Sequence, residues 1–253
     1  MPADGEPGRS APARVGRGDR ARLDDPGWVS AQYADEKGLE TRQSVYGTGA
    51  SKPFDVALEA YAEISPVRML EVGGGQGFFA ERLARELGAV VVGIDVSERM
   101  VELQRERGID AQVGDVQSLP FPDASFDAVS AQYMLYHVPD LPRGLSELAR
   151  VLRPGGRLVA ITNAVDHLHE LWRLVGRDRR REGTFNDENG EEYLRPFFSR
   201  VVRHDVRDET TFADEAAVRR YLASSARWRD VELPPFETPL RATVSSAVFV
   251  ADR

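Results

Sequence analysis

The chain has 253 residues, 42% apolar and 29% charged, with a net charge of -8 and no cysteine. That length holds one large α/β domain or two small ones, with a core that needs no covalent staples. Disulfides and cysteine-bound metal clusters are excluded, and the acidity argues against binding by phosphate neutralisation, so no nucleic-acid partner is expected. None of the 4 histidines falls in the His-Glu-x-x-His spacing, so no metal is expected. The longest strongly apolar stretch, residues 89–94, is far shorter than the roughly 18 residues that cross a bilayer, and the N-terminus lacks a signal-peptide core. The expectation is a cytoplasmic protein with no membrane insertion.

In chain order, residues 1–25 are rich in Gly, Pro, Ala, Arg and Asp without apolar periodicity and read as a disordered tail. Residues 26–62 read as a helical cap. It is polar with aromatic punctuation at Trp28, Tyr33 and Tyr46, then Ser51-Lys52-Pro53 opens a helix with Phe54, Leu58 and Tyr61 on one face. A strand over 67–72, a helix over 78–87 and a strand over 89–94 make a parallel pair. Ser97 caps a second helix ending at Gly108, and short strands follow at 111–113 and 126–131. Pro142 starts a helix that stops at Pro154-Gly155-Gly156, before a strand over 157–162. Residues 164–198 break this rhythm as a charged insert that includes Arg177 and Arg179 to Arg181. After it, β-rich 201–206 and 242–250 flank a helix near 214–223. The sum is an α/β fold: a doubly wound, mostly parallel seven-stranded sheet with an antiparallel pair at its edge. Residues 26–253 are expected to form one domain.

Leu70-Glu71-Val72-Gly73-Gly74-Gly75-Gln76-Gly77 lies where the first strand gives way to the first helix, the place where open α/β sheets bind ligands. Glycines suit a turn that needs positive φ and a backbone that approaches a ligand closely. The second strand ends in Gly93-Ile94-Asp95, and a carboxylate there can accept from both hydroxyls of a ribose. Two ligands compete on these residues, a nicotinamide dinucleotide and an adenosyl sulfonium. Glycines at 73, 75 and 77 do not follow G-x-G-x-x-G, and no basic residue occurs in 69–81 to meet a pyrophosphate, so the spacing favours the second.

On these residues the sequence resembles the class I S-adenosylmethionine (SAM)-dependent methyltransferases, over about 67–163. Glu71 to Gly77 resembles the family's first motif, and Gly93-Ile94-Asp95-Val96-Ser97 with Met100 its second. Gly114-Asp115-Val116, followed by Leu119-Pro120-Phe121 and Phe126-Asp127, resembles the third, and Leu152-Arg153-Pro154-Gly155-Gly156 a further hallmark. The wording is nearest to a small-molecule methylase group that includes quinone-biosynthesis enzymes. The resemblance implies a Rossmann-like fold, SAM as cofactor and a small-molecule acceptor. Gly73, Gly75 and Gly77 would let the loop approach SAM, Glu71 would hold its amino-acid end, and Asp95 its ribose. Asp115 would accept from adenine, Met100 and Val116 would sandwich the ring, Val96 and Gly114 would also bind the cofactor, and Gln132 and Tyr133 would border the sulfonium. Tyr33 to Tyr46 resembles a cap segment of some members, and Phe185 to Gly190 a lid segment.

Cap and insert (164–198) are expected to close over SAM together, with Tyr33, Arg42 and Tyr46 as candidates at the lid. Methyl transfer from a sulfonium needs chiefly alignment and exclusion of water, so any general base is secondary. His137, in Tyr136-His137-Val138-Pro139-Asp140, and His167 are the catalytic candidates, and His169 lies on the same rim. A histidine that only holds its loop is the competing reading. The alternatives at the level of function are a SAM-binding scaffold, a catalyst of another reaction, or an RNA or protein methylase. A homodimer is possible.

Overall fold

The computed structural model describes residues 23–33, 37–43, 52–176, 184–225 and 228–253. Residues 1–22 of the tail expected over 1–25, Tyr46, Ser51 and the basic run at 177–183 lie outside the described residues, whereas residues 23–25 depart from that expectation, since Asp24 is buried, Asp25 caps α1 and the Leu23 carbonyl meets His137.

A short α1 (Pro26–Gln32) starts on Asp25, whose carboxylate accepts from the Trp28 N–H, and α2 (Lys37–Gln43) follows. Next come α3 (Lys52–Ala62), β1 (Arg68–Val72), α4 (Phe78–Leu87) and β2 (Val90–Asp95). Ser97 caps α5 (Glu98–Glu106) by accepting from the Met100 N–H, as its sequence position implies. After β3 (Asp110–Val113) and β4 (Phe126–Gln132), Asp140 caps α6 (Leu141–Val151) through the Arg143 N–H, and Pro142 sits in the first turn, where its missing donor costs nothing. The chain continues with β5 (Leu152–Asn163), α7 (His169–Leu174), α8 (Gly190–Leu194), β6 (Arg200–Phe212), α9 (Glu215–Ala223) and β7 (Leu240–Asp252).

The sheet has seven strands in the order β3-β2-β1-β4-β5-β7-β6. The first five run parallel, and β7 pairs antiparallel with both β5 and β6. This is the Rossmann-like methyltransferase fold expected from the sequence, with differences at the edge. β6 and β7 are much longer than the β-rich runs indicated, because they form one long ladder from Arg200↔Asp252 to Phe212↔Leu240. β5 starts at Leu152, directly after α6, and its Pro-Gly-Gly run is a bulged entry to the strand rather than a separate stop.

Alternate strand residues face opposite ways and fill two cores. Leu70, Val72, Ile94, Val129 and Leu158 pack with Leu145 and Leu148 of α6 on one face. Met69, Val91, Ala128 and Val159 pack with Tyr61 of α3 and Leu83 of α4 on the other. The Tyr61 hydroxyl donates to the Val129 carbonyl at 2.9 Å, which satisfies the one polar atom that the Tyr61 side chain carries under the sheet. A third cluster, Leu168, Leu171, Trp172, Val218 and Leu222, joins α7 and α9 to the far ends of β6 and β7. Strand order reverses between β1 and β4, and that switch point opens the crevice in which the site lies. No helix among the described residues is long and apolar enough to cross a membrane.

Candidate functional site

The turn after β1 places Gly73, Gly75 and Gly77 at φ 62, 55 and 81°, in the left-handed region that favours glycine. A Cβ on Gly73 would stand 2.9 Å from the Met134 Cβ, so the close approach is as demanding as the turn. Gly77 differs in what it faces. It begins α4, and a Cβ there would meet the Gln104 side chain at 2.9 Å. It serves helix packing and does not line the cavity.

Asp95 closes the loop. Its Oδ2 accepts from the Gly75 N–H at 3.1 Å and its Oδ1 from the Ser97 N–H at 3.0 Å, which leaves lone pairs at the crevice rim. Burial pushes its carboxyl up to about 6, and the backbone donors at Ser97 and Gly75 offset only part of that. Glu71 is 1% exposed, and both its oxygens are buried without a well-formed hydrogen bond. Burial pushes it up to about 8; the Ala80 N–H and the Ser130 hydroxyl oppose the rise, and the neighbouring charge of Asp95 adds to it. A buried carboxyl this poorly satisfied is costly unless a cation or donor meets it. It fits the ammonium of an amino-acid moiety.

Glu71, Gly73, Gly75, Asp95, Val96, Gly114, Asp115, Val116, Gln132, Tyr133, Tyr33, Arg42, His137 and His167 all line one cavity of about 1460 Å³. The structure thus brings together the residues expected from the sequence, with two departures. Gly77 is one. The other is Met100, which is 1% exposed on the buried face of α5 and absent from the wall, whereas half-exposed Val96 lines the crevice. Asp115 spends part of its capacity on its own turn, where its carboxylate accepts from the Gln117 N–H at 2.8 Å. Gln132 Nε2 donates to Ser130 Oγ at 2.8 Å, and its Oε1 is buried without a partner at the end of β4. Tyr133 takes a positive φ of 54°, and its hydroxyl meets Ser246 Oγ at 3.0 Å, which fixes the ring above the strand ends.

His137 does not sit as a base. Its Nδ1 lies 2.8 Å from the Leu23 carbonyl and its Nε2 2.9 Å from the Tyr33 hydroxyl, so both ring nitrogens are engaged. Burial pulls it down to about 4. It clasps the cap to the loop after β4, so the competing reading of a loop-holding histidine describes it. His167, 2% exposed, sets Nδ1 3.2 Å from both the backbone nitrogen and the carbonyl oxygen of Ser245 while the residue lines the cavity wall. His169 is half-exposed and outside the wall.

Among the described residues the cap is also tied to the end of α9: Arg42 Nη1 and Gln32 Nε2 both donate to the Ser224 carbonyl, at 2.7 and 3.1 Å. Ser97 Oγ donates to the Tyr33 carbonyl at 3.0 Å, so the residue that caps α5 also anchors the roof. The insert still supplies wall through Ala164, Val165, Trp172, Phe185 and Asn186. Gln104, not singled out from the sequence, is fully buried and donates from Nε2 to the Gly75 carbonyl at 3.0 Å. The signal was present, because a glutamine sharing the apolar face of α5 with Met100 and Val101 needs a buried partner.

Residues 70–160 match the family described as Methyltransferase domain. The chain is 43% identical over 99 residues to 27-O-demethylrifamycin SV methyltransferase of Amycolatopsis mediterranei, covering 36% of each chain. It is 37% identical over 141 residues to demethylmenaquinone methyltransferase of Clavibacter sepedonicus, covering 53% of this chain and 57% of that one. The match therefore spans from about a third to somewhat over half of these relatives' length. A putative methyltransferase of Bacillus halodurans C-125 shares the fold with a TM-score of 0.60 at 20% identity, covering 80% of this chain and 99% of that one.

Proposed function

Because residues 70–160 match the family described as Methyltransferase domain, we propose that this protein moves the methyl group of S-adenosylmethionine to a small-molecule acceptor. The observation that carries the reading is the unsatisfied buried carboxyl of Glu71 beside a glycine turn that Asp95 braces, all on one cavity. When bound, the sulfonium supplies an already activated methyl group. The residues of this chain do the rest. Glu71 meets the ammonium of the methionine part, and Asp95 accepts from the ribose hydroxyls with the lone pairs left by Gly75 and Ser97. Asp115 accepts from adenine, while Val96 and Val116 enclose the ring. Gln132 and Tyr133 border the point of transfer, and the roof tied at Tyr33, His137 and Ser224 excludes water.

Bound SAM would thus leave to this chain's residues only the alignment of the acceptor and the handling of its proton. An acceptor hydroxyl must lose its proton. In this reading His167, on the cavity wall with its ring held by the Ser245 backbone, takes it. The same reading takes residues 26–253 as one catalytic unit acting in the cytoplasm, with self-association as a homodimer open to a sedimentation measurement. The test is formation of S-adenosylhomocysteine when the chain is given SAM and metabolite extracts, with calorimetry for SAM binding. SAM binding without any S-adenosylhomocysteine turns the reading toward a scaffold or another reaction. For a hydroxyl acceptor, His167→Gln is expected to lower kcat by about 10²-fold or more with SAM affinity unchanged.

A further inference from the structure

β6 ends the sheet, and among the described residues no strand pairs with its outer side. It is 13 residues long, and an uncovered edge of that length is a template for another strand. The direction of its backbone groups follows from β7. Thr243 and Ser245 turn away from β6: their N–H groups donate to Glu170 and His167, and their carbonyls accept from the Leu168 and Ala164 N–H groups. The even-numbered residues of β7 therefore face β6, and the register Val248↔His204, Ser246↔Val206, Val244↔Asp208 makes the even-numbered residues of β6 their partners. Arg203, Asp205, Arg207 and Glu209 are left with N–H and C=O groups pointing outward. The Glu209 N–H agrees with this, because it donates to the neighbouring Asp208 carboxylate at 2.9 Å instead of to a strand.

Charges on an edge usually oppose pairing, but their order here selects a register. An antiparallel second copy centred on Val206 sets Arg203 opposite the partner's Glu209, Asp205 opposite the partner's Arg207 and His204 opposite the partner's Asp208, with Val206 facing its own copy. Outward residues then meet outward residues, so the backbone groups of both edges find partners. Moving the axis to residue 205 sets Arg203 against the partner's Arg207, and moving it to 207 sets Asp205 against the partner's Glu209, so like charges oppose both shifts. Within the chain Asp205 meets Arg203, Arg207 meets Asp166, Asp208 meets Lys52 and Glu209 meets Arg241. Those four β6 side chains nevertheless stay more than half exposed, and exposed pairs of this kind are weak enough to be shared with a second chain.

We infer that β6 is the docking edge for a second copy of this chain, antiparallel about Val206, so that two sheets join into one. The inference stands independently of methyl transfer.

The chain has no cysteine, so a single introduced thiol reports the register. Facing residues at the axis stand about 4.5 Å apart at Cα, within disulfide range, whereas His204 and its copy would be separated by four residues, roughly 13 Å or more. Val206→Cys is expected to give a disulfide-linked dimer of the full chain under mild oxidation. His204→Cys alone and Asp208→Cys alone are not, and a mixture of those two variants is. In sedimentation equilibrium the native chain should dimerise with a Kd below about 100 µM. Arg207→Glu should raise that Kd about tenfold or more by setting like charges across the axis, and adding Asp205→Arg should restore most of it. Where circular dichroism shows that a charge variant has lost its fold, the thiol series decides alone. A native chain that stays monomeric, whatever else it captures, cross-linking of His204→Cys alone as efficient as that of Val206→Cys, or a dimer indifferent to a folded Arg207→Glu overturns the inference.

Discussion

Two carboxylates at the strand ends do different work because their surroundings differ. Asp95 has two backbone donors, so it stays available as a charged acceptor above about pH 6. Asp95→Ala removes both the brace on the turn and the ribose acceptor, and should weaken SAM binding by about 1–3 kcal/mol in calorimetry. Glu71 is held protonated to about pH 8 by burial, whereas its ordinary value is 4.5. The folded chain thus binds a proton that the unfolded chain releases, and this contribution to stability is present at low pH and fades as pH rises from 4.5 to about 8. Glu71→Gln should flatten that slope in urea titrations between pH 5 and pH 8. For the same reason a bound ammonium displaces the proton, so SAM affinity of the native chain should rise from pH 6 to pH 8 with proton release, and that of Glu71→Gln should not.

At the scale of elements, the glycine turn owes its shape to α5 as much as to its own residues. Ser97 begins that helix and holds the roof through Tyr33, while Gln104, two turns on, ties the Gly75 carbonyl from below. Gln104→Leu keeps the volume and deletes the tie, so the fold should persist in circular dichroism while SAM binding weakens by about 0.5–1.5 kcal/mol, the net worth of one hydrogen bond. Arg157 plays a comparable part at the other end of the sheet. Its Nε donates to Asp252 at 2.7 Å, and its Nη1 to the Ala60 carbonyl at 2.7 Å and to Glu63 at 2.6 Å, so a 6%-exposed guanidinium joins β5 to β7 and α3. Neither tie shows as periodicity, because each is a single polar residue on an apolar face.

At the scale of the molecule, cap, sheet and α9 enclose one cavity, so a ligand there is linked to the stability of all three. SAM at 100 times its Kd should add about 2.7 kcal/mol and raise Tm by roughly 5–11 °C in a thermal scan. The sequence by itself determined the alternation of strands and helices, the glycine turn, Asp95, the cap at Ser97 and the helix start at Pro142, because each depends on neighbours a few residues away. It also carried the parallel sheet with an antiparallel edge, since short strand–helix–strand units allow few other arrangements. Tertiary structure alone decided what residues far apart in the chain do to each other. His137 became a clasp because Leu23 and Tyr33 take both its nitrogens, Met100 turned to the buried face of α5, and the cap was tied to Ser224. Hydrogen bonds across separations such as 114, 104 and 182 residues leave no local pattern, and burial, which sets the charge state of Glu71 and His137, is a property of the packed molecule.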